Sequence, residues 1–490
     1  MMTTPEGTPY GERLDELALE DPERTSVVIV HREGTTDELN RRQLSERARQ
    51  WGRALAARGV GVGDRVALPV NNSVELVLGA LGTWAVGGVP VPVRWDLPAW
   101  ERDRVLAVIA AAVVIDEESA PALREEAARA SAVPLPAVTS PQSMGICSSG
   151  STGTPKVILN TRPGLWIKEL STPFAENFAI PVSRPQTILV PAPMYHTNGF
   201  MTLHSLLGGD ALVIMERFDA GLFLDTIERY AITTFTATPT MLQRVAAVPG
   251  IESRELSTVE WILQGAAMMP AALLRQWFDL LAPGKVVMAY GMTEQLGLTA
   301  LTGEEWLTHQ GSVGRGFRDT EIQILDEAQN PVPVGDYGDV YMRAPATGTY
   351  DYLGGAPLLP MTADGFGTAG DMGRLDQEGY LYLADRRVDM IITGGANVFP
   401  AEVEAALSEH PGIADAVVIG LSDPDWGRRV HAIVERMPAA GDLSEADVNA
   451  FVKDRLASYK APKTVEFVAQ LPRTAATKIS RSALVQERGG

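Results

Sequence analysis

MGICSSGSTGTPKVIL, Met144 to Leu159, is the stretch from which the fold can be read. The Met-Gly-Ile-Cys run is apolar and reads as the end of a buried strand; Val157-Ile158-Leu159 reads as the next strand. Small hydroxyl and glycine residues between them allow backbone to approach phosphate oxygens closely. Their N–H and O–H groups can donate to those oxygens, and Lys156 adds a positive charge. The Walker spacing GxxxxGK[ST] is absent. Composition alone suits a flexible Ser/Gly linker equally well. The bracketing strands argue instead for a loop held in an α/β framework.

Outward from this loop, β-branched apolar runs alternate with helical ones. Strands are expected at Ser26–Val30, Arg65–Val70, Ala112–Ile115, Thr187–Val190, Ala211–Met215, Thr233–Ala237, Val259–Gln264 and Lys285–Ala289. Helices are expected at Arg41–Arg58, Val74–Val86, Leu222–Tyr230, Thr240–Val248 and Ala271–Leu281. This alternation predicts parallel α/β sheets with helical crossovers. The long apolar run Leu76–Val93 is broken at Gly87-Gly88, which favours a buried helix and then a short strand over a membrane span. From Thr320 to Leu383 shorter strands and Gly/Pro-rich turns predict a small antiparallel unit. After Arg387 an α/β pattern resumes: helix Pro400–His410, strand Ala416–Gly420, helix Ser444–Ala457 and strand Thr464–Val468. This last stretch, of about a hundred residues, is expected to be a small α/β domain following a large N-terminal one.

The length of 490 residues exceeds what one hydrophobic core supports. With 45% hydrophobic and 21% charged residues, the composition is that of a globular protein. A net charge of -19 argues against nucleic acid and anionic membranes as partners. It also requires that any phosphate-bearing ligand be met by local cations or backbone N–H groups. One cysteine, Cys147, excludes an intrachain disulfide and fits a reducing cytoplasm; it is expected to be a small buried residue rather than a nucleophile. The polar, acidic N-terminus lacks the apolar segment of a secretory leader.

Four further stretches carry potential chemistry. Tyr290-Gly291-Met292-Thr293-Glu294 directly follows a strand, where α/β sheets bind ligands; an aromatic ring can stack on a base, a Thr can contact phosphate and a Glu can hold Mg²⁺. An ordinary loop fits those residues too. Asp371, in Ala369-Gly370-Asp371, can accept from both hydroxyls of a ribose, although Gly-Asp turns are common. Asp385 to Glu404 combines charge, a strand, the Gly394-Gly395 turn and a helix begun by Pro400; a surface loop and amphipathic helix would read the same. Lys478 lies in a small-residue loop, where a lone lysine is usually a solvated charge.

Taken together and in this order, the five stretches resemble the adenylate-forming superfamily of acyl-CoA synthetases, peptide-synthetase adenylation domains and firefly luciferases. The resemblance spans nearly the whole chain and implies ATP and Mg²⁺ as cofactors. It implies that Ser148, Ser149, Gly150, Ser151, Thr152, Gly153, Thr154 and Lys156 hold phosphates, and that Gly265, Ala266 and Ala267 flank adenine. Tyr290, with Gly291 beside it, would stack on adenine, Thr293 would contact the α-phosphate and Glu294 would bind the metal. Asp371 and Arg386 would hold the ribose. His196, in Pro193-Met194-Tyr195-His196-Thr197-Asn198-Gly199, borders the acyl pocket, with Asn198, Phe200, Thr236, Thr238, Met268, Gly291 and Gly297 as further lining candidates. Lys478, Thr293 and His196 form the implied catalytic set. Gly394, Gly395 and Trp426 would line an acceptor tunnel. The chain departs from the family pattern at Val157 and Thr477, where Gly is usual, and at Val388, where the hinge usually has Asp or Lys; Asp389 follows it.

The implied reaction begins with attack of a carboxylate on the α-phosphate of ATP, giving an acyl-AMP and pyrophosphate. It brings one anion against another, so charge must be neutralised and the attack aligned. Lys478 would bridge carboxylate and α-phosphate. The acceptor expected for the second step is CoA; a free amine, as in amide synthetases, or a carrier protein are the alternatives. CoA carries a 3′-phosphate that usually wants a basic patch, and no dense one is evident in the sequence. The substrate is expected to be a small aromatic, heteroaromatic or medium-length aliphatic acid.

Overall fold

The computed structural model describes residues 7–148, 156–168, 171–386, 389–393, 396–437, 443–472 and 479–489. Among them, nine strands form the largest sheet. Six are parallel and lie in the spatial order Val286–Gly291, Trp261–Gln264, Thr234–Ala237, Thr187–Val190, Ala211–Met215 and Thr25–Val30. Their near-continuous apolar runs, such as TILV and ALVIM, suit strands covered on both faces. Antiparallel strands finish each edge: Thr36–Asn40 on one side, Leu298–Thr302 and Arg315–Gly316 on the other. Helices pack on both faces. Their starts are fixed locally: Asn40 and Gln43 make a reciprocal cap for Arg41–Ala57, and the Ser73 and Asp219 side chains cap Val74–Ala85 and Ala220–Tyr230.

A second, three-stranded parallel sheet joins Arg65–Leu68 to Val89–Pro92 and Val113–Val114. The run read as helix then strand is Val74–Ala85 followed by Val89–Pro92. Gly87 makes that turn with φ +77, and an added Cβ would meet Val138 Cγ1 at 2.6 Å. No helix among the described residues is long and apolar enough to cross a membrane.

Met144–Ser148 and Lys156–Asn160 pair antiparallel, with Ser148 opposite Lys156, so the Ser/Gly loop joins two neighbouring strands. A third strand, Tyr350–Leu353, pairs with the far side of Lys156–Asn160. The antiparallel unit expected between Thr320 and Leu383 consists of Glu321–Leu325, Gly338–Arg343, Asp371–Leu375 and Leu381–Arg386. Cys147 is half-buried, and desolvation pushes its thiol up to about 12, away from the thiolate a nucleophile needs.

The C-terminal region builds a separate core. Ile413–Asp423 and Gly427–Arg436 form a long antiparallel pair, Thr464–Val468 adds in parallel, and helices Pro400–Ser408 and Glu445–Lys453 cover them. The strand Gly427–Arg436 was not among those expected, because its first residues are charged and exposed.

Candidate active site

The carboxyl ends of the parallel strands bring most of the sequence-expected residues to one edge. Tyr290 and Gly291 end one strand, Gly265 follows the next, Thr238 follows the third, and Ala192 to His196 follow the fourth. Open α/β sheets present ligands along this edge.

Side-chain bonds tie the separate segments together. Tyr290 Oη donates to Asp371 Oδ2 at 2.6 Å, joining the implied adenine and ribose positions. Asp371 stands opposite Arg386 in the strand register. Thr293 Oγ1 and Thr197 Oγ1 are 2.9 Å apart, which links the Tyr290–Glu294 loop to the His196 segment. His196 caps the short helix Thr197–Phe200, and its ring lies 4.4 Å from that of Tyr195. The turn at Gly265, Ala266 and Ala267 is held from beneath by Gln264, a buried amide donating to the carbonyls of Gly265 (3.2 Å) and Ala267 (2.6 Å).

Backbone strain sits in the same two loops. Ala266 has φ +71 and Gln295, directly after Glu294, has φ +54. Left-handed conformations at non-glycine residues cost of order 1–3 kcal/mol each and collect at functional loops.

Glu294 is the carboxylate implied for Mg²⁺. Its Oε1 accepts from Tyr352 Oη at 2.8 Å; among the described residues no hydrogen bond reaches Oε2. No group of three or more His, Cys, Asp or Glu residues able to hold a metal occurs among the described residues. A single hard carboxylate fits Mg²⁺, which is commonly held by one or two carboxylates together with substrate phosphates. The donor set therefore fits the ion as a partner of bound nucleotide.

Several sequence expectations are refined or corrected. Phe200 is wholly buried against Trp84, with ring centroids 6.0 Å apart, so it packs the core rather than lining an open pocket. The space at Gly297 is filled by Thr320 and Met342, whose atoms an added Cβ would meet at 2.7 and 2.9 Å; this glycine lets the antiparallel unit approach. Thr238 caps the helix Pro239–Ala246, accepting from Met241 N. Thr236 is half-buried, while Asn198, Met268 and Gly291 are exposed at the edge. Ser149, Gly150, Ser151, Thr152, Gly153, Thr154, Val388, Gly394, Gly395 and Lys478 lie outside the described residues. The helix after Lys478, Arg481–Glu487, is anchored by Arg481, which reaches Glu404 at 2.8–2.9 Å and Asp389 at 3.4 Å.

Folding also brings a cation, Lys463, to the exposed ring of Trp426, far from it in sequence. Lys463 Nζ lies 4.4 Å from the centre of the exposed Trp426 ring, and exposed Arg428 follows two residues later. This places one cation on one exposed aromatic ring.

Two residues were missed. Asn72 is buried, donates to the carbonyls of Ala192 (3.0 Å) and Met215 (2.9 Å), and accepts from Met194 N at 2.8 Å. Tyr352 touches Glu294 and lies beneath Lys156. Neither sits in a motif; an Asn at a strand end and a Tyr in a Gly-rich stretch carry no signal of long-range contact.

The family model described as AMP-binding enzyme matches residues 14–350, and that described as AMP-binding enzyme C-terminal domain matches 402–478. A feruloyl-CoA synthase of Amycolatopsis sp is 32% identical over 467 residues, covering 91% of this chain and 93% of its own. A 2-succinylbenzoate–CoA ligase of Geobacillus kaustophilus is 31% identical over 486 residues, covering 96% of each. Among solved structures, ATP-bound MatB from Rhodopseudomonas palustris superposes with TM-score 0.84 at 25% identity, over 98% of this chain and 99% of that one. The amide bond synthetase McbA from Marinactinospora thermotolerans shares the fold, with TM-score 0.79 at 24% identity over 98% and 99% of the chains.

Proposed function

This chain belongs to the AMP-binding enzyme family, the adenylate-forming ligases, and on that premise we propose that it is an acid–CoA ligase acting on a small carboxylic acid. The observation that carries the reading is the joining of the ATP-facing and acid-facing segments through Thr293 and Thr197 at the edge of the parallel sheet. The names of the curated relatives favour CoA as the acceptor. The Lys463 ammonium beside the exposed Trp426 ring supports it, since an aromatic face and a cation suit a phosphorylated nucleotide. Domain limits of 1–384 and 390–490 about a hinge at 385–389 are part of the proposal.

The chemistry follows from the residues. Tyr290 stacks on adenine, while Asp371 and Arg386 hold the ribose. The loop from Ser148 to Thr154 and Lys156 hold the β and γ phosphates. Thr293 donates to the α-phosphate; its bond to Thr197 sets its position relative to the acid. Glu294 would hold Mg²⁺, whose charge offsets that of the phosphates when bound. Lys478 neutralises the approaching carboxylate and the α-phosphate, so that the carboxylate oxygen forms a bond to phosphorus as pyrophosphate leaves. CoA thiolate then attacks the acyl carbon and AMP departs. Gly394 and Gly395 leave room for its narrow arm.

The two half-reactions test these roles. Lys478→Ala is expected to abolish acid-dependent pyrophosphate release while acyl-CoA still forms from supplied acyl-AMP. Equal loss of both half-reactions removes the assignment.

A further inference from the structure

Tyr352 sits where two strands, distant in sequence, are zipped together. Tyr350–Leu353 runs antiparallel to Lys156–Asn160 with Tyr352 opposite Ile158. Lys156 is therefore its diagonal neighbour, within reach of a long side chain. Its Nζ lies 5.4 Å from the centre of the Tyr352 ring, a cation–π distance. The ring is only 6% exposed and is braced edge-on by Tyr350, with centroids 5.4 Å apart. The hydroxyl donates to Glu294 Oε1 at 2.8 Å.

A carboxylate on a loop samples several rotamers, and only some present an oxygen to a metal. Here a rigid phenol takes Oε1 and fixes the plane of the group. Oε2 is left for a cation, and Lys156, at the exit of the phosphate loop, contacts the same Tyr352 ring.

We propose that Tyr352 is a positioning residue for metal binding: it holds one oxygen of Glu294 so that the other meets the magnesium ion accompanying ATP. The inference rests on the reading of Glu294 as the metal ligand. Tyr352→Phe keeps the ring, its packing and its contact with Lys156, and deletes only the bond.

The test uses the full chain. One readout is the Mg²⁺ dependence of acid-dependent pyrophosphate release. The other is Mn²⁺ binding, followed by electron paramagnetic resonance in the presence of a non-hydrolysable ATP analogue. Loss of one hydrogen bond to a carboxylate is expected to raise half-saturating Mg²⁺ and weaken Mn²⁺ binding about 10-fold, with kcat falling less than either. Glu294→Gln should shift both readouts at least as far, and Tyr352→Phe should add nothing in that background. A shift in Glu294→Gln without one in Tyr352→Phe overturns the role of Tyr352 and leaves Glu294 as ligand. No shift in either variant overturns both. A lower kcat in Tyr352→Phe with unmoved metal dependence, or an effect that persists in Glu294→Gln, shows a merely structural role and overturns the proposal.

Discussion

Tyr290 and Asp371 work as a pair because a 2.6 Å bond fixes each against the other. Removing the carboxylate takes away the proposed ribose acceptor and one bond to the ring proposed to stack on adenine. Asp371→Ala is therefore expected to raise the KM for ATP about 10- to 100-fold, from the loss of charge-assisted hydrogen bonds, with the KM for the acid unchanged. Steady-state kinetics with each substrate varied checks this; an unchanged ATP KM places Asp371 outside the site. Tyr290, Thr293, Glu294 and Asp371 could be proposed from the sequence because they stand in short runs at or just beyond strand ends. Tyr352 was not. Its role comes from pairing with a strand far away in the chain, and nothing in TGTYDYLGG announces that partner. Phe200 and Gly297 were misread for the opposite reason: they sit close to motif residues in sequence, yet their backbones aim them at packing against Trp84 and Met342.

At the scale of elements, the loop after Arg65–Leu68 belongs to the smaller parallel sheet, whereas Pro193 to Gly199 leaves the larger one. Asn72 bolts them together through three buried backbone contacts. Asn72→Ala leaves those groups unpaired and is expected to lower stability by on the order of 2–3 kcal/mol. Because Met194 is among the partners, the His196 segment should loosen, raising the KM for the acid more than that for ATP. Urea unfolding and steady-state kinetics check both; unchanged stability and unchanged acid KM contradict the role. Strands such as ALVIM and helices such as AALLRQWFDLL could be placed from the sequence because both are strongly patterned. GRRVHAIVER could not, since its charged opening hides a strand whose later residues are buried.

At the scale of the molecule, the hydrophobic clusters of the described residues divide. Those built from Ile391 onward contain no residue of the N-terminal region, and the N-terminal clusters contain none beyond Leu383. Contacts across the divide include a Gln243 Nε2 bond to the Ala414 carbonyl at 3.1 Å and the Tyr337 and Phe399 rings 5.6 Å apart. Separate cores joined by such contacts suit a domain that rotates between adenylation and acyl transfer. Asp389, bound to Arg481, couples the proposed hinge to the helix that follows Lys478. With a net charge of -19, the proposed binding of ATP and CoA requires local cations, and Lys156 at the end of the phosphate loop and Lys463 beside Trp426 are available for it.

The central claim is activation of an acid as acyl-AMP followed by transfer to CoA. It is tested most directly by pyrophosphate release from ATP and Mg²⁺ over a panel of carboxylic acids that includes aromatic ones, with and without CoA, and with detection of acyl-CoA. The account predicts acid-dependent release that CoA accelerates, with the matching acyl-CoA as product. Acid-dependent release indifferent to CoA, with no acyl-CoA formed, would contradict it and transfer the second step to an amine or a carrier protein.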